Sequence, residues 1–294
     1  MRRNKFYFTR GFTLIELSIV LVIIGLIVGG VLVGRDLIRS AGIRAELTQI
    51  QNYQTATNTF KVKYGYLPGD IPNPDATNFG FLSRGATAGQ GNGNGLMEGS
   101  YSSAATGVAM GNGENTMFWV DLATANLVDG SFTTATPSFA GTYTSGTVAS
   151  YLPPSKIGSA AGAIASVYVF SASGFNYLGL SGIASVNQGR NITVTPSISV
   201  YESYMIDTKI DNGLALSGNV LAVMPSGTSL VYQDPDMAGS FVTATIPVAV
   251  SATGHATGYW GCADNGNVAN APWVYSKAEL SVPTATCGLA VRFQ

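Results

Sequence analysis

From Phe12 to Val33 the chain reads FTLIELSIVLVIIGLIVGGVLV, an apolar run interrupted only by small hydroxyl residues and one carboxylate, Glu16. As a helix, this run extends about 33 Å, enough to cross a hydrocarbon core of about 30 Å. Arg2, Arg3, Lys5 and Arg10 precede it, with no acid among them. By the positive-inside rule these first residues stay cytoplasmic, and everything after residue 34 is exported. A secretory signal peptide is the competing reading. It fits poorly, because no Ala-x-Ala cut site closes the run and a helical pattern continues beyond it.

Glu16 is the anomaly. A carboxylate inside a membrane helix is costly and requires a partner, so it marks a function. Gly25, Gly29, Gly30 and Gly34 give two small-xxx-small spacings on the same helix, a pattern that lets helices approach closely. The plain alternative is a single-pass anchor with a stray Glu near its cytoplasmic end.

Gly11-Phe12-Thr13-Leu14-Ile15-Glu16-Leu17 resembles the processing site of type IV prepilins and type II secretion pseudopilins. The resemblance implies a leader peptide over residues 1–11, cut between Gly11 and Phe12 by a membrane prepilin peptidase that also methylates Phe12. It further implies that Glu16 is the acid used in assembly. Cleavage would place an ammonium group on Phe12, and pairing it with Glu16 of a neighbouring subunit would offset the burial of both charges. The implied partners are the peptidase/methyltransferase, other pilin or pseudopilin subunits, an inner-membrane assembly platform and the membrane itself. One departure stands out: many type IV pilins carry a helix-breaking proline in this segment, and none occurs between residues 12 and 67 here. The glycines are left as the places where the helix could bend or melt.

The helical pattern continues through Ile43, Leu47, Ile50, Tyr53, Ala56, Phe60 and Tyr64 at three- and four-residue steps, one stripe facing a core. Arg35, Asp36, Arg39, Arg44, Glu46, Lys61 and Lys63 fall largely elsewhere and read as the outer face. The spacing therefore predicts one helix over residues 12–64, transmembrane over 12–33, about 80 Å long. Gly65-Tyr66-Leu67-Pro68-Gly69-Asp70 stops it. A Tyr-Gly-x-x-Pro-Gly exit resembles the segment that follows the long helix in many pilin-like proteins.

Residues 65–294 carry six Lys/Arg against thirteen acids, whereas residues 1–64 carry nine against three. An acidic body would repel a phosphate backbone, so no nucleic-acid partner is expected. Residues 71–113, rich in Pro, Asn and Gly, read as a flexible surface loop, and the Gly-rich stretch 89–95 lacks the Lys of a phosphate-binding loop. A helix is predicted over 114–126 and a short one over 201–209. Strands are predicted near 165–171, 192–194, 220–224, 230–232, 241–250 and 289–293. The expectation is an α+β fold, a long N-terminal helix packed on an antiparallel-sheet body over residues 65–294, as in pilin-like proteins.

Chemistry in the body is sparse. Asp207-Thr-Lys-Ile-Asp211-Asn212-Gly213 partly resembles a calcium loop, but Lys209 occupies a ligand position and no Glu closes it, so it reads as a helix end and turn. Asp234 and Asp236 are two acids at a turn. Some secretion pseudopilins bind calcium in the body, and Asp207, Asp211, Asp234 and Asp236 are the residues such an ion would need; otherwise no cofactor is expected. His255 is the lone histidine and no Gly-x-Ser-x-Gly elbow accompanies it, so no enzyme is expected. Cys262 and Cys287 cannot build a zinc site alone, and in an exported body they read as one disulfide. Their placement resembles the disulfide-bounded C-terminal region of many type IV pilins. The functional expectation is a structural subunit of a type IV pilus or type II secretion pseudopilus, anchored in the inner membrane with its body in the periplasm. The alternatives are a minor or tip pilin with an adhesive or cargo-binding body, and a membrane-tethered periplasmic enzyme.

Overall fold

The computed structural model describes residues 13–87, 89–100, 104–105, 111–132, 134–137, 143–144, 146–158, 164–186, 192–226, 229–231, 262–264, 274–276, 280 and 285–294. The chain divides into two compact units, Met1–Arg44 and Ala45–Gln294.

Helix α1 covers Leu14–Tyr64, 51 residues in one α-helix. It stays helical through Gly25, Gly29, Gly30 and Gly34, so the glycines do not break it where many pilins have proline. From Leu14 to Ile38 the large apolar side chains face outward on every side, between 89% exposed at Leu14 and 50% at Ile23, and Ile43 is the first of them to be buried. In the second unit Ile50, Tyr53, Ala56 and Phe60 are buried, the expected 3.6-residue stripe. Leu47 and Tyr64 are only half-buried. Glu46, assigned to the outer face because it is charged, is instead fully buried. The reason lies far along the chain: its Oε2 accepts from Ser155 Oγ at 2.7 Å and from the Lys156 N–H at 2.6 Å.

The helix exit has a physical cause at each glycine. Gly65 adopts φ 81° and its N–H closes onto Lys61 O at 2.8 Å, an αL termination. Gly69 adopts φ 86°, and a Cβ there would lie 2.5 Å from the Glu114 carbonyl oxygen. The second glycine is thus set by a close approach of backbones as well as by φ.

Beyond the exit come α2 (Asp75–Asn78), β1 (Gly99–Ser100), β2 (Ala104–Ala105), α3 (Glu114–Thr124) and β3 (Tyr143–Thr144). There follow β4 (Ile164–Ala172), β5 (Phe175–Val186), β6 (Ile192–Thr195), β7 (Ile198–Ser199), α4 (Val200–Ile210), β8 (Val220–Ser226) and β9 (Ser229–Val231). The chain ends with β10 (Ala263–Asp264), β11 (Val274–Tyr275) and β12 (Ala285–Arg292). An eight-stranded antiparallel sheet runs β3-β5-β12-β8-β9, with β4 and β6 on β5 and β7 on β12. The fold is α+β: a long apolar N-terminal helix and an antiparallel-sheet body.

The sheet is organised by β5, a strand that pattern reading did not predict. Its partner β4 reaches it through a hairpin whose turn residues, Ser173 and Gly174, adopt φ 49° and 81°. Paired positive φ values of this kind match the right-handed strand twist. Gly179 in β5 exists for Tyr168 in β4: a Cβ at Gly179 would sit 2.2 Å from the Tyr168 ring. Tyr168 in turn stacks on Phe170, and Phe170 on Tyr177. The predicted strands at 165–171, 192–194, 220–224 and 289–293 and both short helices appear, with ends shifted by a few residues. The predicted strand at 241–250 lies outside the described residues.

Candidate functional site

The N-terminal candidate is built around Thr13. It precedes the first helical residue, and its Oγ1 accepts from the Glu16 N–H at 3.3 Å. Glu16 Oε2 reaches back to accept from the Thr13 N–H at 2.8 Å and from Thr13 Oγ1 at 2.7 Å. This reciprocal pair is a capping box, in which N-cap and third helical residue satisfy each other's free donors. The carboxylate therefore has a partner inside its own chain, at the positive end of the helix dipole. Beyond it, a Cβ placed on Gly25, Gly29, Gly30 or Gly34 would meet no other atom within 4 Å, and the pairs Gly25/Gly29 and Gly30/Gly34 leave two open small-residue patches on different sides of the helix. Gly11 and Phe12 lie outside the described residues.

At the other end of the chain Cys262 and Cys287 are joined in a disulfide, 25 residues apart in sequence. It links the β10–β11 hairpin to β12. Tyr275 in β11 donates from its hydroxyl to Asp207 Oδ2 at 3.0 Å, and Asp207 Oδ1 accepts from the Gly213 N–H at 2.9 Å. Burial pushes the Asp207 carboxyl up to about 6. Asp211 Oδ2 accepts from the Asn219 and Val220 N–H groups. Both acids thus staple backbone turns around the end of α4. Among the described residues no three His, Cys, Asp or Glu side chains converge as metal ligands. Asp234, Asp236 and His255 lie outside the described residues. Replacing Cys262 by Ser is expected to destabilise the body by about 3 kcal/mol through the lost loop constraint. Denaturant unfolding of the two chains, compared under oxidising conditions, measures it.

Residues 71–113, expected as a flexible surface loop, hold buried structure. Ile71, Ala76, Phe81 and Met97 belong to the core. Asp70 accepts from the N–H groups of Asn92 at 3.3 Å, Gly93 at 2.7 Å and Gly95 at 2.7 Å. Glu114, at the start of α3, accepts from the Gly91 N–H at 2.9 Å and the Glu98 N–H at 3.0 Å. Glu98 Oε2 accepts from the side-chain amides of Asn92 at 2.8 Å and Asn94 at 2.9 Å. Nearby, the Arg84 guanidinium meets Asp121 Oδ2 at 2.5 Å, and the Gly69 N–H donates to the same oxygen at 2.6 Å. The composition correctly flagged turns; it could not say that carboxylates from outside the stretch receive their N–H groups.

A groove of about 970 Å³ runs along Ala45–Thr59 of α1 and is walled by 126–132 and by Pro153, Pro154 and Lys156. The ionisable side chains lining it are Tyr53, Asp129 and Lys156. These do not form a nucleophile–base pair.

Residues 9–32 match the family model of the prokaryotic N-terminal methylation motif. The chain carries a prepilin-type cleavage and methylation segment. The match concerns this N-terminal segment alone, the kind of segment that type IV prepilins and pseudopilins carry. No curated protein and no solved structure matches the chain. Gly11, Phe12, Thr13 and Glu16 all fall inside the prepilin-type segment, as do Gly25, Gly29 and Gly30. The Thr13–Glu16 capping box is therefore part of that segment's geometry. Sequence reading singled out Glu16 without Thr13, although the T-x-x-E spacing that announces a capping box stands in the sequence. The segment and its apolar helix together indicate membrane anchoring: α1 contains a window long and apolar enough to cross a membrane, none of it buried in the protein's own fold.

Proposed function

We propose that this chain is a structural subunit of a type IV pilus or of a secretion pseudopilus. The precursor sits in the inner membrane as a single pass, with its body in the periplasm. A prepilin peptidase cuts between Gly11 and Phe12 and methylates the new terminus, and an inner-membrane assembly platform adds the subunit to a filament. Polymerisation proceeds through α1. The observation that carries this reading is a processing motif set on a helix whose apolar side chains the protein's own body leaves uncovered. At about 25 cal/mol per Å² of apolar surface, covering such side chains is a large driving force, and other copies of the same helix are suitable cover once the chain leaves the lipid. Glu16 then exchanges its capping partner for the Phe12 ammonium of a neighbour, which keeps the carboxylate paired in a dry filament centre.

The experiment is mass spectrometry of the N-terminal peptide from membranes and from the sheared extracellular fraction. A peptide beginning at methylated Phe12 is expected in both for a surface pilus, and in membranes alone for a periplasmic pseudopilus. A chain still beginning at Met1, or cut at another bond, removes the proposal and leaves a membrane anchor.

A further inference from the structure

Three carboxylates hold the segment 89–98 in place, and they outnumber the cations beside them. Asp70 comes from the turn after α1, Glu98 from the segment itself and Glu114 from the first turn of α3. All three are buried, at 1%, 5% and 0% exposed. Of the groups that face them, Tyr66 donates its hydroxyl to Asp75, so that pair brings no positive charge. Asn92 and Asn94 contribute neutral amides to Glu98. Arg84 flanks Gly91, but its guanidinium is bound to Asp121 and to the Ile71 carbonyl oxygen. The Arg84 charge is thus matched already by Asp121. The N-terminus of α3 offers a partial positive charge to Glu114, and the five backbone N–H groups offer dipoles. No full positive charge is left for three buried carboxylates among the described residues.

We propose that Asp70 and Glu114, buried beside the Glu98 carboxylate, form a proton-held latch: protons kept by these two acids let the segment 89–98 seat against α3, and their loss as pH rises releases it. Like charges so close cannot all ionise without strong repulsion in a dry site. Burial first, then the neighbouring Asp70 carboxylate, pushes Glu114 up to about 8, with Glu98 adding to the shift against the downward pull of its two N–H donors. Burial also pushes Asp70 up, with Glu98 adding to it. A raised acid favours the folded form when protonated. Its contribution is complete below the ordinary value of 4.5 and is lost as pH climbs through about 8. The latch therefore loosens progressively between about pH 4.5 and about pH 8, and acid tightens it. The latch concerns the body alone and stands whether or not the chain polymerises.

The test is amide hydrogen exchange on the full-length protein in detergent, from about pH 5 to about pH 8, corrected for the intrinsic pH dependence of exchange. Protection of the Gly91, Gly93, Gly95 and Glu98 amides is expected to fall by up to about tenfold per pH unit, while the β4–β5 amides hold. Glu114→Gln, which cannot ionise, is expected to flatten that slope. Constant protection in the wild type, or an unchanged slope in Glu114→Gln, overturns the latch. Should that variant not fold, the carboxyl ¹³C titration of Glu114 in the wild-type chain decides. A midpoint above about 6 upholds the latch and a lower one overturns it, since an unperturbed Glu titrates near 4.3.

Discussion

Glu16→Ala is expected to leave cleavage after Gly11 intact and to lower the polymerised fraction by at least about tenfold. Two losses combine. The substitution removes the acceptor that satisfies the Thr13 N–H and hydroxyl, a cap worth about 1 kcal/mol. In the proposed filament it also strands the Phe12 ammonium of a neighbour in a dry environment, which costs about 3–5 kcal/mol, and each 1.4 kcal/mol is a factor of ten in equilibrium. Glu16→Gln separates the two effects. Glutamine at this position serves a capping box almost as well as glutamate, because its amide oxygen accepts from the N-cap N–H. It carries no charge to pair with an ammonium. Comparable loss in Glu16→Ala and Glu16→Gln, measured as subunit in sheared or cross-linked polymer against total subunit, would establish charge pairing as the assembly role. Wild-type assembly by Glu16→Gln would reduce Glu16 to a helix cap and end the pairing proposal. Thr13→Ala is the complement: it weakens the cap and leaves the charge, so assembly should fall far less.

What was legible in the sequence follows from how locally each feature is specified. The unbroken 3.6-residue pattern on α1 and the Gly/Pro exit are properties of neighbours in the chain, and they reappear in the fold. Helices α3 and α4 are likewise local, and α4 starts with a Ser199–Glu202 capping box. The misses are all long-range. Strand β5 escaped notice because Gly179 and Gly182 dilute its apolar content, and the reason for Gly179 is the Tyr168 ring on the opposite strand. Glu46 reads as surface until Ser155 and Lys156 are brought to it across more than a hundred residues. The Gly/Asn stretch 89–95 reads as loose chain until Asp70 and Glu114 arrive to receive its N–H groups. In each case a residue chosen for what it meets looks, in one dimension, like a residue chosen for nothing. The N-terminal processing segment was legible because it is one continuous run of residues, although the Thr13 half of its four-residue capping box was passed over.

Asp121→Ala is expected to destabilise the body by about 3–5 kcal/mol, the cost of stranding a buried charge. The Arg84 and Asp121 side chains are 1% and 0% exposed, so neither ion can turn to water when its partner is removed. The same substitution takes the acceptor from the Gly69 N–H, in a turn whose backbone already packs against the Glu114 carbonyl oxygen. Burial pushes the Asp121 carboxyl up, against the pull of the Arg84 guanidinium and the Gly69 N–H. Asp121→Asn keeps an acceptor but loses the charge, so it should cost less than alanine, about 1–3 kcal/mol. The decisive comparison is the double replacement Arg84→Met with Asp121→Leu. Asp121 Oδ1 and Arg84 Nη1 are buried with no hydrogen-bond partner among the described residues, so the pair is imperfectly satisfied. An apolar pair of similar volume should therefore recover most of the stability lost by Asp121→Ala, as replacements of buried ion pairs commonly do. Denaturant unfolding of the wild type, Arg84→Met, Asp121→Leu and the double replacement gives the coupling energy directly. If the double replacement recovers little, the ion pair contributes through its directional bonds to Gly69 and Ile71 rather than through mutual neutralisation. Arg84 and Asp121 would then be a device for fixing the turn after α1, and the charge on them incidental.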